Sequence, residues 1–190
     1  MKKKGKILTI IGLLLIAAAL VITAYNLLMQ ARADRAAREA LAQLQIGSGV
    51  PEYLLNPNME MPTQTIDGRE YIGKLDIPSQ NLSLPILSTW SYPYLYVAPC
   101  RYQGSAYLSD FVICAHNYDF HFGKLKYLSI GDNITFTDVT GNVIPYRVTE
   151  VEILQPTAIE EMITGDWDMT LFTCTIGGRT RVTVRCDKVK

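Results

Sequence analysis

The run Met169-Thr170-Leu171-Phe172-Thr173-Cys174-Thr175, the turn Ile176-Gly177-Gly178 and the run Arg179-Thr180-Arg181-Val182-Thr183-Val184-Arg185 decide the fold. An apolar, β-branched stretch stops at a cysteine, the chain bends at glycines, and a second β-rich stretch begins with arginine. Such a hairpin holds a thiol at the end of one strand beside a guanidinium at the start of its antiparallel neighbour. Thiolate and arginine side by side suit acyl transfer, in which negative charge builds on sulfur and then on a carbonyl oxygen.

Upstream of the hairpin the pattern is that of a β protein. Tyr71–Ile77 alternates apolar and polar residues, Leu82–Ile86 reads as an edge-like strand because of Pro85, and Phe111–Ala115 is a buried strand that delivers His116 to its end. Asn133–Asp138 and Val143–Leu154 flank a turn at Thr140-Gly141-Asn142. Short helical pieces are expected at Gly123–Leu128 and Thr157–Ile163, and Trp90–Tyr96 is an aromatic loop that packs over the core or walls a peptide groove. Many strands without βαβ alternation indicate a mostly-β barrel rather than a parallel sheet.

The first 65 residues are different. Lys2, Lys3, Lys4 and Lys6 precede an apolar run from Ile7 to about Met29, with no charge before Arg32. Roughly 25 uncharged residues cross a hydrocarbon core of about 30 Å. The lysines favour a cytoplasmic tail over residues 1–6 and a transmembrane anchor over 7–29, with the globular part outside the cytoplasm. A cleaved signal peptide is the rival, with Ala31-Arg32-Ala33 as its processing site, but its apolar region is ordinarily only about 7–15 residues. Residues 30–65 read as an Ala-rich helical stalk, then a linker from Ile46 and an arm from Tyr53 to Thr65, either lying on the domain or mobile. The catalytic domain is expected over 66–190. Lys+Arg and Asp+Glu both number 18, so the balance gives no support to a nucleic-acid binder.

Several of these pieces, in this order, resemble the sortases, cysteine transpeptidases that anchor proteins to the bacterial cell surface. Ile72–Pro78 with Leu84–Ile86 resembles the opening strands of that family. Val112–Asn117 is similar to the strand carrying its catalytic histidine, and Phe122–Leu125 with Gly131-Asp132 to the helix and turn that follow. Thr170–Cys174 fits Thr-Leu-x-Thr-Cys, and Arg181 with Val182–Val184 resembles the catalytic arginine strand. The resemblance implies an eight-stranded sortase-type β-barrel with one or two short helices, preceded by the transmembrane helix. Trp90–Tyr96 and Phe122–Leu125 are class B-like, yet the Leu154–Leu171 link lacks the long inserted helix of class B. No lid with an aspartate and an aromatic residue, expected of class C, is present, so the subclass stays open.

The resemblance assigns Cys174 as nucleophile, His116 as general acid and base, and Arg181 as the group that steadies the oxyanion, with Arg179 in reserve because the turn length is uncertain. Thr173 is either a β-former or a substrate contact. The implied substrates are surface proteins bearing a C-terminal sorting signal of the Leu-Pro-x-Thr-Gly type, and the acceptor is an amine of a cell-wall peptide or a pilin. No cofactor is expected, and no acidic cluster is placed to hold the calcium that some sortases bind. His121 reads as solvent-facing or packed, and a zinc site from Cys114, His116 and His121 matches no standard spacing. Of the remaining thiols, Cys100 and Cys186 are the candidate disulfide, because Cys114 sits inside its strand, although pairing cannot be deduced from sequence. A hydrolytic cysteine peptidase of the cell surface, or a non-enzymatic surface module, remains the alternative.

Overall fold

The computed structural model describes residues 2–49 and 52–189. Met1 and Lys190, the ends of the expected tail and catalytic domain, and Val50 and Pro51 of the expected linker lie outside the described residues. Among the described residues nine strands form: β1 (Gln64–Ile66), β2 (Arg69–Ile77), β3 (Leu82–Leu87), β4 (Cys100–Gln103), β5 (Phe111–Ala115), β6 (Asn133–Asp138), β7 (Val143–Leu154), β8 (Met169–Cys174) and β9 (Arg181–Lys188). Their order is β1-β2-β3-β4-β5-β8-β9-β7-β6, and an antiparallel β2–β6 pairing closes strands β2 to β9 into an eight-stranded barrel. The short β1 stays outside the ring, on the start of β2. Closure depends on Gly73, because a Cβ there would lie 2.1 Å from the Thr137 carbonyl oxygen of β6.

Alternation along each strand decides what faces inward. Met169 and Leu171 of β8, Val182 and Val184 of β9, and Phe111 and Ile113 of β5 meet Ile72, Leu75, Phe136 and Tyr146 in the interior. The opposite parity, with Cys114 and Phe172, faces a smaller outer cluster with Cys100, Leu87 and Tyr71. The barrel is therefore apolar inside and partly covered outside along β4, β5, β8 and β9.

Helix α1 spans Lys2–Gln43. From residue 6 to 43 it is long and apolar enough to cross a membrane. Its last third does not stand clear as the expected stalk. Ala33, Ala37 and Ala40 are 1 %, 3 % and 4 % exposed, so one face of small residues lies on the barrel beside β3. The described part of the arm also lies on the domain. Tyr53, in the short helix α2 (Glu52–Leu55), stacks on Tyr107 at 4.7 Å, and Met61 is buried at the barrel end where β5 and β8 begin. Two further short helices complete the fold, α3 (Tyr92–Leu95) within the aromatic segment and α4 (Ile159–Ile163) between β7 and β8.

Candidate active site

Three neighbouring strands bring the three sequence-predicted groups to one row. β5 and β8 run parallel, and their last pair is Ala115 with Thr173, so His116 and Cys174 leave the sheet side by side. Cys174 pairs directly with Arg181 across the antiparallel β8–β9 ladder. Adjacent strands lie about 4.8 Å apart, and lateral neighbours share a face. By parity that face is the outer one, shared with Cys114 and Phe172. The β8–β9 connection is closed by Thr175 N–H donating to the Thr180 carbonyl at 3.0 Å, while Gly177 and Gly178 take φ of +79° and +71°. Arg179 sits in that exposed turn rather than on the strand, which leaves Arg181 as the arginine opposite the thiol.

The environments differ in useful ways. His116 lies between the rings of Tyr96 and Tyr118, with centroids at 4.8 Å and 5.0 Å. Burial lowers its pKa, and its Nε2 has no hydrogen-bond partner. The imidazole is thus neutral at rest with one nitrogen free for a proton. Arg181 donates from Nη1 to the carbonyls of Gly178 at 3.0 Å and Thr180 at 3.1 Å, so its fork is anchored on the turn while Nε and Nη2 remain available. Thr173 donates its hydroxyl to the Ala115 carbonyl at 2.8 Å, which ties the strand of Cys174 to the strand of His116. Cys174 is partly exposed and borders a cleft of about 360 Å³ walled by Asn117, Asp119, Gly123, Lys126 and Ile176.

The outer face below this row is aromatic. It carries Phe172 with Tyr102 edge-on at 5.4 Å, and Trp90 stacks on Tyr102 at 5.4 Å. At its foot Gln103 donates to the Ile163 carbonyl, so α4 crosses the sheet from β9 toward β4. At its lower end Thr170 is buried beneath Arg185, so the accessible part of this face lies nearer Cys174.

Arg185 is the residue sequence reasoning missed. It shares parity with Arg181, but instead of solvating an outer face it is 1 % exposed. Its Nε donates to Glu152 at 2.8 Å, Nη1 to the Met162 carbonyl at 3.0 Å and Thr170 Oγ1 at 2.9 Å, and Nη2 to the Glu161 carbonyl. Trp167 covers the guanidinium at 4.2 Å. The available signal was Trp167 itself, a large aromatic in a polar connection that needs a surface to cover.

Other expectations are corrected or refined. Cys100 and Cys186 do not pair: all four cysteines are free, and β4 and β9 are separated by β5 and β8. Three strand spacings of about 4.8 Å exceed the ~6.8 Å Cα reach of a disulfide. Cys100 instead lies opposite Cys114 across β4–β5. Burial pushes the Cys100 thiol up to about 12 and raises Cys114 and Cys186 as well, so these three stay protonated. His121 is packed, fully buried against the Ala33–Asp34 stretch of α1, and burial takes its pKa down to about 4. Among the described residues no three acidic, cysteine or histidine side chains gather as metal ligands.

Comparison with curated protein sequences returns no match. Solved structures do match. Sortase C1 of Streptococcus suis is 26 % identical over 63 % of this chain and 73 % of that one, with a TM-score of 0.56. A Clostridium perfringens sortase C, solved with a C-terminal cell wall sorting motif, is 25 % identical over 73 % and 83 %, with a TM-score of 0.56. The sortase D5 transpeptidase of Clostridium perfringens shares the fold at 20 % identity, over 84 % and 99 %, with a TM-score of 0.61. Among known families the sortase domain matches residues 75–189, which take in His116 and the whole Cys174–Arg181 hairpin: the chain belongs to the sortase family.

Proposed function

We propose that this sortase is a membrane-anchored cysteine transpeptidase acting on C-terminal sorting signals of the Leu-Pro-x-Thr-Gly type. The observation that carries the reading is the lateral row of His116, Cys174 and Arg181 on three adjacent strands. A sorting peptide enters the cleft at Cys174 with its scissile carbonyl at the sulfur. Cys174 attacks as thiolate, and the oxyanion accepts hydrogen bonds from the free Nε and Nη2 of Arg181. The C–N bond breaks, and the leaving amine takes a proton from His116, which had received it from the thiol. An amine of a cell-wall peptide or a pilin then attacks the thioester, gives its proton to His116 and releases the thiolate. Thr173 contributes by holding the two strands in register. The Clostridium perfringens sortase C solved with a C-terminal cell wall sorting motif supports this class of substrate. The apolar length of α1 supports a single-pass anchor with the barrel outside the cytoplasm.

The test is product analysis of sorting peptides incubated with the full chain, with and without an added amine. Ligated product in place of free acid is expected when the amine is present. Hydrolysis alone would make the chain a peptidase. Cys174→Ala should lower turnover by at least about a thousandfold, and Arg181→Lys by about 10²–10³ in kcat. Unchanged activity in Cys174→Ala would remove the mechanism.

A further inference from the structure

The course of α1 over the barrel fixes which end of the barrel faces the lipid. Apolar side chains from Ile7 to Leu28 are exposed, and Met29 is the first to be partly covered. Beyond it, contacts follow in order along the helix. Ala33 and Asp34 reach His121, Arg38 lies over the Phe120 ring at 5.3 Å, and Ala40 packs with Tyr71 and Leu87. The chain then passes on to the β6–β7 turn, where Gly47 N–H donates to Val139 and Gly49 N–H to Thr140. The helix therefore runs from the loop that follows His116 to the opposite end of the barrel, and its free apolar length projects past the end that carries Cys174.

The heights agree with this direction. At 1.5 Å per residue, Ala33 stands about 7 Å beyond Leu28. A headgroup layer is roughly 5–7 Å deep on each side of the hydrocarbon core. At this same end Phe120, Tyr127 and Ile176 are 42 %, 64 % and 86 % exposed, although each is large and apolar or aromatic. Lys124, Lys126 and Arg179 stand among them, with Arg32, Arg35 and Arg38 on the adjoining helix, against Asp119 and Asp132 of the loop and Asp34 and Glu39 of the helix. Aromatic and apolar tips ringed by cations match a lipid–water interface with anionic headgroups.

We infer that the catalytic end of the barrel rests on the bilayer, with the tips of the 117–127 loop and the 175–180 turn in the headgroup layer, so that Cys174 takes peptides displayed at the membrane surface rather than from bulk solvent. The inference rests on the reading of α1 as a membrane anchor. The full chain is reconstituted in vesicles of phosphatidylcholine and phosphatidylglycerol, with or without bromine on the acyl chains, as the variants Tyr25→Trp, Ile176→Trp and Val143→Trp. Trp90 and Trp167 give the common background. Bromine is expected to quench the added emission at positions 25 and 176 but not at 143, on the first residues of β7 at the far end of the barrel. Quenching at 25 with none at 176, or equal quenching at 176 and 143, overturns the orientation. No quenching at 25 overturns the anchor, and the orientation with it, whereas peptide ligation tests the chemistry separately.

Discussion

His116 and His121 share one loop and serve opposite ends. His116 follows the strand beside that of Cys174 with its Nε2 unpaired, and the Tyr96 and Tyr118 rings that bury it hold its pKa below the ordinary 6.5. Removing one cover, as in Tyr96→Ala, should move the acid limb of the pH profile of kcat/KM upward toward 6.5, because water returns to the charged ring. His121 is deeper, with folded pKa about 4 against 6.5 for an ordinary imidazole. Burial is the main cause, with the neighbouring His116 adding to it and Asp34 opposing it. Between these values the unfolded chain binds more protons than the folded one. Its contribution is therefore unchanged above pH 6.5 and is lost as pH falls toward 4, roughly 3 kcal/mol in all. Urea unfolding at pH 7.5 and 4.5 checks this: His121→Phe should lose less stability between the two than the parent does. Equal losses would mean that the ring is solvated when protonated.

In the connection from β7 to β8, residues 155–168, Met162 is the one buried side chain. Arg185 of β9 reaches this connection through two backbone carbonyls, and Glu152 balances the charge. Arg185→Met removes one member of a buried pair, but Glu152 keeps access to water, so a loss of about 2–4 kcal/mol is expected. Arg185→Lys should recover little of it, since an ammonium cannot reproduce the planar fork. Thermal unfolding measures the loss, and limited proteolysis should place the new cuts within 155–168 while alkylation of Cys174 keeps its rate. The same region shows where sequence stops being legible. β5, β8 and β9 are readable because apolar runs and period-two alternation persist for five or more residues, and His116 and Cys174 follow as the residues at their ends. Cys100–Gln103 offers no such run, and β4 forms because β5, with β3 at Cys100, supplies the ladder. The α3 turn had its signals, Ser91 accepting from Tyr94 N–H at 3.2 Å and Pro93 in the first turn, but aromatic residues masked them. Burial of Arg185, like the partner of Cys100, depends on which distant strand or connection lies opposite, and no local pattern carries that.

For the molecule as a whole, the barrel and the helix are held together differently. The barrel closes on its own ladder and core, whereas α1 adheres through Ala33, Ala37 and Ala40, which bury little area but allow close approach. Sequence shows a helix there from its alanines, yet the same alanines fit a free stalk equally well; only the surface opposite distinguishes the two. Enlarging one of them separates helix docking from barrel stability. Ala40 is 4 % exposed among Ile66, Tyr71, Leu87 and Leu95, so Ala40→Leu must displace either the helix or fully packed strand residues. Overpacking a rigid site costs about 1–3 kcal/mol, and the element with fewer contacts yields first. Amide hydrogen exchange should therefore quicken over residues 33–43 and in the 117–122 loop that α1 covers, while β8 and β9 keep their protection. Because that loop begins at His116, kcat/KM for a sorting peptide should fall with it. Faster exchange across β8 and β9 as well would show that helix and barrel fold as one cooperative unit, and that the anchor is part of what holds the active-site row in register.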